Sequence, residues 1–391
     1  MSGLQKPFLT HEVGSLRKPA ALLTASRNRS IPPEQLEQFD QFCNFLGYSE
    51  IPPELAELLI QAGPDQENNT EYHYQINRWR VRLNVEYKES TGIDLIDAGE
   101  WIRREMYQHL FDTPATEGVQ LLSHVRSFDY NFYRTGVHSP PMRYHDEQDI
   151  YVTEFKWAKE FATKPLKVCL TAFNTAAEWS LRGRTNFDDF MFDLVDEIFV
   201  PETIKLLKAG ANWLQMDEPA LTTYPQHVDT FLDAWNYWVD QIKPYTSADT
   251  VLSLHNCFSN YDLLWPILPE MKDLGAYSLE FANRDSWELG TDTKQRKAYA
   301  EASKFIQNLY QGETGFTARA ALGVQPVHTT HVTSPELIRD RLLYINTIID
   351  NPKLVLAAPD CGLRQRTLPF THQLLKNLTQ GAELARQELG A

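Results

Sequence analysis

A chain of 391 residues, 42% apolar and 23% charged, carries enough apolar material for a large globular core. Its 52 acidic and 37 basic residues leave a formal charge of -15, which argues against nucleic acid or an anionic membrane surface as the main partner. No apolar run approaches the roughly 20 residues of a membrane span, and the amino terminus MSGLQKPFLTHEVG lacks the apolar core of a secretory signal, so a cytoplasmic protein is expected. Four cysteines in so long a chain make no disulfide framework.

Eight short apolar runs, each ending in polar or small residues, read as strands. In chain order they are LTHEVGS near position 10, DLIDAGE (94–100), LKVCLTAF (166–173), NWLQMDE (212–218), VLSLHNC (251–257), AYSLEF (276–281), ALGVQPVHT (321–329) and LVLAAPDC (354–361). Near-continuous apolar runs suit parallel strands covered on both faces. Residues 19–92 look helical, and the two IPPE stretches at Ile31 and Ile51 mark helix starts. The aromatic stretch 127–151 is expected as an excursion near the mouth of the fold. Helical patterns separate the later strands, one of them opening at Ser334-Pro335, an N-cap followed by proline. An alternating α/β chain with eight strand candidates predicts a (β/α)8 TIM barrel with a helical insertion after the first strand. Residues 1–391 are expected to form one decorated domain.

Four of the strand ends' residues are metal-ligand types: His255 and Cys257 in VLSLHNC, Glu280 in AYSLEF and Cys361 in LVLAAPDCGL. A nitrogen, thiolate and carboxylate set of this kind suits a soft divalent metal, zinc foremost. In a barrel all strand ends open on one face, where active sites lie. No CxxC pair occurs, which argues against a zinc ribbon or knuckle. Two thiolates and a carboxylate overcompensate a dication. Such a centre is a weak Lewis acid towards water but leaves a captured sulfur nucleophilic, so the set favours thiol alkylation over hydrolysis.

Other strand ends carry further candidates. Asp217 and Glu218 are adjacent, so only one is expected to enter the mouth. Asp217 is assigned there as holder of a cationic amino group; the alternative reading is structural, with Glu218 paired to an arginine or lysine beneath. Glu100 suits an ammonium too, although the arginines after it offer a structural ion pair instead. Gly14-Ser15 forms a small turn suited to a carboxylate. His328 can serve as a proton donor, and Trp179 as a stacking face for a flat heterocycle. Cys43 and Cys169 read as buried small hydrophobes.

Together these motifs resemble the cobalamin-independent methionine synthase family, specifically its catalytic carboxy-terminal barrel. The matching segments are EVGSLRKP, DAGEWIRRE, TAFNTAAEWS, LQMDEPAL, LHNCFSNYD, YSLEF, PVHTTHVTSPE and PDCGLRQR, spread from residue 11 to 366. The resemblance implies a zinc ion held by His255, Cys257, Glu280 and Cys361, and homocysteine as the thiol methylated to methionine. It implies that Ser15, Glu100 and Asp217 grip the amino acid's carboxylate and ammonium. His328 matches the proton donor and Trp179 the residue stacking on a folate ring; Ser259 and Asn260 lie in a matched motif without a separate role.

A second, amino-terminal barrel is not expected, so the chain is similar to the short single-barrel branch. There the methyl donor is a methylated folate or a methylcorrinoid, with a corrinoid or other accessory protein among the conceivable partners. Ala172-Phe173 and Pro326 depart from the family's Gly-Pro and aspartate on the donor side. Alternatives are alkyl transfer to another thiol such as coenzyme M, and a glycosidase-like barrel using Glu100 with Asp217 or Glu218.

Overall fold

The computed structural model describes residues 2–126, 132–183, 185–257, 261–312 and 315–390. Strand β1 (Leu9–Thr10) leads into four helices, α1 (Ala20–Ala25), α2 (Pro33–Phe45), α3 (Pro53–Gln61) and α4 (Thr70–Ser90). Proline occupies the first turn of both α2 and α3, as the IPPE stretches predict, because its missing N–H costs nothing there. Next come β2 (Ile96–Asp97), α5 (Met106–Phe111), the strands β3 (Thr116–Arg126) and β4 (Phe132–Tyr144), and α6 (Val152–Phe161).

The remaining chain alternates. It runs through β5 (Leu166–Thr171), α7 (Phe173–Glu178), β6 (Ser180–Leu181), α8 (Phe187–Leu194), α9 (Val200–Ala209), β7 (Trp213–Asp217), α10 (Val228–Ile242) and β8 (Val251–Asn256). It closes with β9 (Leu274–Leu279), α11 (Lys297–Gln311), β10 (Arg319–Leu322), α12 (Pro335–Ile349), β11 (Leu356–Ala357) and α13 (Leu368–Leu389). Ser334 caps α12, its hydroxyl accepting from the Leu337 amide with Pro335 just inside the helix.

Six strands form one parallel sheet in the order β10-β9-β8-β7-β5-β2, and β1 pairs in parallel with β11 in a second. Single parallel bridges, His11 to Leu95 and Ala320 to Val355, join that pair to both edges of the six-stranded sheet. Every residue of β5 and β8 is buried, as expected for strands covered on both faces. A small apolar cluster draws Leu9, Trp213, Val251, Ala276, Ala321 and Leu356 from six different strands. Helices and strands together supply the larger core around it.

The aromatic excursion is an antiparallel hairpin of β3 and β4, whose far strand also pairs with β6 through Gly136 and Ser180. Residues 127–131 at its centre lie outside the described set. Among the described residues no helix is long and apolar enough to cross a membrane.

Candidate metal centre

His255 sits near the end of β8, and Cys257 follows one residue past it. Cys361 lies just beyond β11. Their ligand atoms all fall within 4.8 Å of one another. His255 is 3% exposed and Cys257 7%. Among the described residues neither ring nitrogen of His255 has a well-formed hydrogen bond, an unusual state for a buried imidazole and one that suits a metal ligand. The donors present therefore fit a soft divalent metal.

Electrostatics at the three groups point the same way. The Cys257 hydrogen bond, aided by His255, holds the Cys361 thiol well below its usual range despite burial. That same bond, together with burial and the Glu280 and Asp217 charges, pushes the Cys257 thiol up. Burial alone would lower the His255 pKa, but the Cys361 thiolate outweighs it and the net shift is upward. A bound dication would displace the protons of these thiols and of the imidazole nitrogen that it engages.

Glu280 directly follows β9 and is 2% exposed. It stands outside the mutually close trio, with its carboxylate taken by the Asn283 side-chain amide. Two neighbours fix its main chain. The Tyr261 hydroxyl accepts from the Glu280 amide at 2.8 Å. Asp360, next to Cys361, accepts from the amides of Phe281 (3.0 Å), Ala282 (2.8 Å) and Asn283 (2.8 Å). Sequence reasoning missed both, since ties to main-chain amides have no residue-type signature. Ser259 and Asn260 lie outside the described residues.

Asp217 ends β7 and pairs in register with His255. Its carboxylate accepts from Gln215 Nε2 at 2.7 Å. Burial, with Glu100 nearby, pushes its pKa up to about 7 although His255 opposes the shift. The carboxylates of Glu100 and Asp217 and the Cys169 sulfur lie within 4.8 Å of one another. Two acids so close are poised for a cation between them. Glu100 adopts φ 62°, a left-handed conformation of the kind that marks constrained functional residues. Arg103 approaches Glu100 only to 3.7 Å and binds Glu154 at 2.8 Å, so the structural ion pair belongs mainly to Glu154.

Glu218 does not follow the alternative of a basic partner. Its carboxylate is fully buried and accepts from Asn174 (2.9 Å) and from the Thr175 amide (3.0 Å) and hydroxyl (2.5 Å), rather than from a basic residue. Burial pushes its pKa up to about 7. It pins the end of β7 to α7 and faces away from the mouth. Cys169 also differs from a bland apolar filler, because its thiol donates to the Val13 carbonyl at 3.2 Å beside Glu100.

Ser15, Trp179 and His328 all line one cavity with Glu100, Asp217, His255, Cys257 and Cys361, of about 150 Å³. Ser15 reaches it through pairing of the first and last strand ends. Its carbonyl accepts from the Leu363 amide at 2.7 Å, and its hydroxyl abuts Gly362. Trp179 follows α7, half-buried, with its ring tilted against Tyr107 at 5.9 Å. His328 is exposed on the loop after β10.

Comparison with known proteins gives consistent results. Residues 53–384 match the family model described as cobalamin-independent synthase, catalytic domain. The chain is 34% identical over 311 residues to a methionine synthase of Thermoplasma acidophilum, covering 76% of this chain and 86% of that one. It is 32% identical to the Pyrococcus furiosus methionine synthase, over 77% of this chain and 80% of the relative. A B12-independent methionine synthase from a Shewanella species, solved with selenomethionine, superposes with TM-score 0.72 at 17% identity, covering 98% and 99% of the two chains. A Listeria monocytogenes protein described as a vitamin-B12-independent methionine synthase gives TM-score 0.61 at 14% identity, over 96% and 97%. With a family match over most of its length and relatives above 30% identity, this chain belongs to the cobalamin-independent methionine synthase family.

Proposed function

We propose that this protein transfers a methyl group to the thiol of homocysteine, forming methionine, at a zinc ion held by His255, Cys257, Cys361 and Glu280. The observation that carries the reading is the convergence of the two cysteines and His255 beside the Glu100–Asp217 pair in one cavity. Zinc there would ionise the substrate thiol and keep its sulfur nucleophilic. The chain's own residues bind and orient. Glu100 and Asp217 receive the ammonium, which supplies the cation their proximity calls for. Ser15 receives the carboxylate at the turn where the first and last strand ends meet. Trp179 presents a face to the methyl donor, a folate or a corrinoid, and His328 returns a proton to the departing donor.

The wider reading follows from the same features. The two bridges and the six-strand apolar cluster support a closed (β/α)8 barrel, acting as one decorated domain in the cytoplasm. Small molecules are the partners, with a corrinoid protein as a further candidate should the donor be a methylcorrinoid. Methionine formation from homocysteine, with methylated folate and methylcobalamin supplied separately, tests the activity. Zinc–sulfur coordination measured by X-ray absorption tests the centre. A spectrum unchanged by homocysteine would count decisively against this assignment.

A further inference from the structure

A second, larger chamber of about 820 Å³ adjoins the reaction cavity and shares Lys18, Arg104 and Arg364 with it. It is enclosed by the helical insertion, α1, α2 and α4, against the loop after β11 and the start of α13. Among the described residues six cationic side chains line it, Arg17, Lys18, Arg27, Arg80, Arg104 and Arg364, and no aspartate or glutamate does. In a chain of formal charge -15 that local excess runs against the overall balance.

Arg80 is the telling member. It is 4% exposed, and its guanidinium contacts are neutral: Asn77 Oδ1 at 2.8 Å and the Trp101 carbonyl, with Nε unpartnered. Glu154 attracts this buried guanidinium but is itself bonded to Arg103 at 2.8 Å, and a bound anion would offset the remaining cost of burial. Arg104 does reach a carboxylate, Asp112 at 3.4 Å, but from outside the chamber. The opposite wall is aromatic, with Phe39 and Phe42 buried and Phe45 half-exposed at 51%. A volume of this size matches a small-molecule site. Arg80 is too enclosed for a protein surface to reach.

We propose that this chamber binds the polyanionic end of the methyl donor, a small molecule bearing several carboxylates or phosphates next to an apolar part. Only the identification of that ligand as the donor rests on the methyl-transfer reading. The shared cations Lys18, Arg104 and Arg364 then mark the passage by which one ligand occupies both compartments.

Isothermal titration of the zinc-loaded full chain at low ionic strength tests this with three probes: triglutamate, fructose 1,6-bisphosphate and long poly-L-glutamate. At least one short probe is expected to bind at one per chain, with affinity falling as salt rises. Triglutamate alone would assign carboxylates, and the bisphosphate alone phosphates. Arg80→Gln should weaken binding about tenfold, the loss of one charge-assisted contact. Because Arg80 is buried and its replacement can disturb folding, Arg27→Gln and Gln38→Glu at exposed positions should each weaken it about threefold.

Absence of binding by both short probes overturns the proposal, as does affinity unchanged in Arg27→Gln and Gln38→Glu. Binding of long poly-L-glutamate alone also overturns it and points to an acidic protein. A short probe that binds while no donor yields methionine sinks the methyl-transfer reading and leaves the anion chamber standing. Methionine formation without probe binding sinks the chamber alone.

Discussion

Asp360 accepts a 2.8 Å hydrogen bond from the Ala282 amide, so the residue before one candidate ligand grips the chain just after another. The same carboxylate takes the Phe281 and Asn283 amides and is fully buried. It therefore sets the separation between the Glu280 and Cys361 loops. In Asp360→Asn one oxygen becomes an NH2 facing an amide donor, which breaks the grip without emptying the space. Zinc affinity, measured by chelator competition, should fall by roughly 10–100-fold, the usual consequence of losing such outer support. Unchanged affinity would mean the two loops are positioned by something else.

Removal of a ligand should act more severely. His255→Ala and Cys361→Ser each leave two members of a trio whose atoms lie within 4.8 Å. We expect stoichiometric zinc to be lost from the purified protein, by metal analysis, together with methionine formation. Glu280→Gln should be milder. Its carboxylate stands outside the trio and bonds Asn283, so partial zinc occupancy is expected. Full occupancy and turnover in Cys361→Ser would refute the ligand assignment.

Much of this site was legible in the sequence because strand-end position is itself a signal. The runs of β7 and β8 end within one residue of expectation, and Asp217, His255 and Cys257 there line one cavity, whereas β5 stops at Thr171, short of the run to 173. The seventh run was only partly right. The ladder stops at Leu322, and the rest of the run to 329 is loop carrying His328. The hairpin of β3 and β4 was not foreseen as strands. Pro140 and Pro141 lie inside β4, where proline argues against a strand, and two register shifts break the period-two pattern along β3. The partners of Glu218, Asn174 and Thr175, could not be read from the sequence, because adjacency says which residue turns away but not what it meets. Asp360, Tyr261 and Gln215 act through main chain or through a neighbouring side chain, contacts that no spacing encodes.

The Glu100–Asp217 pair makes a claim about substrate choice. Both carboxylates line the cavity, and each should contribute a charge-assisted contact to the amino group. Replacing either with its amide should raise the KM for homocysteine by roughly 10–100-fold, the range for such a bond of about 1.5–3 kcal/mol. Zinc content should be unchanged. A thiol lacking the ammonium should show no penalty between wild type and Glu100→Gln, which separates substrate recognition from a general loss of structure.

Gly14 offers the most local test of that geometry. A methyl group there would lie 2.5 Å from Glu100 Oε1 and 3.2 Å from the Cys169 sulfur, too close for either to stay where it is. Glu100 has little freedom to retreat, since its backbone is held at φ 62° and its amide donates to Glu154 at 2.6 Å. Gly14→Ala should therefore displace the Glu100 carboxylate while leaving the trio, which a Cβ at Gly14 does not touch, intact. The expected result is a KM for homocysteine raised by about tenfold, with zinc stoichiometry preserved and stability lowered by about 1–3 kcal/mol from overpacking. Steady-state kinetics, metal analysis and chemical denaturation on one preparation read all three. Lost zinc would show that the turn at Gly14 supports the metal centre as well, and an unchanged KM would remove Glu100 from the ammonium site.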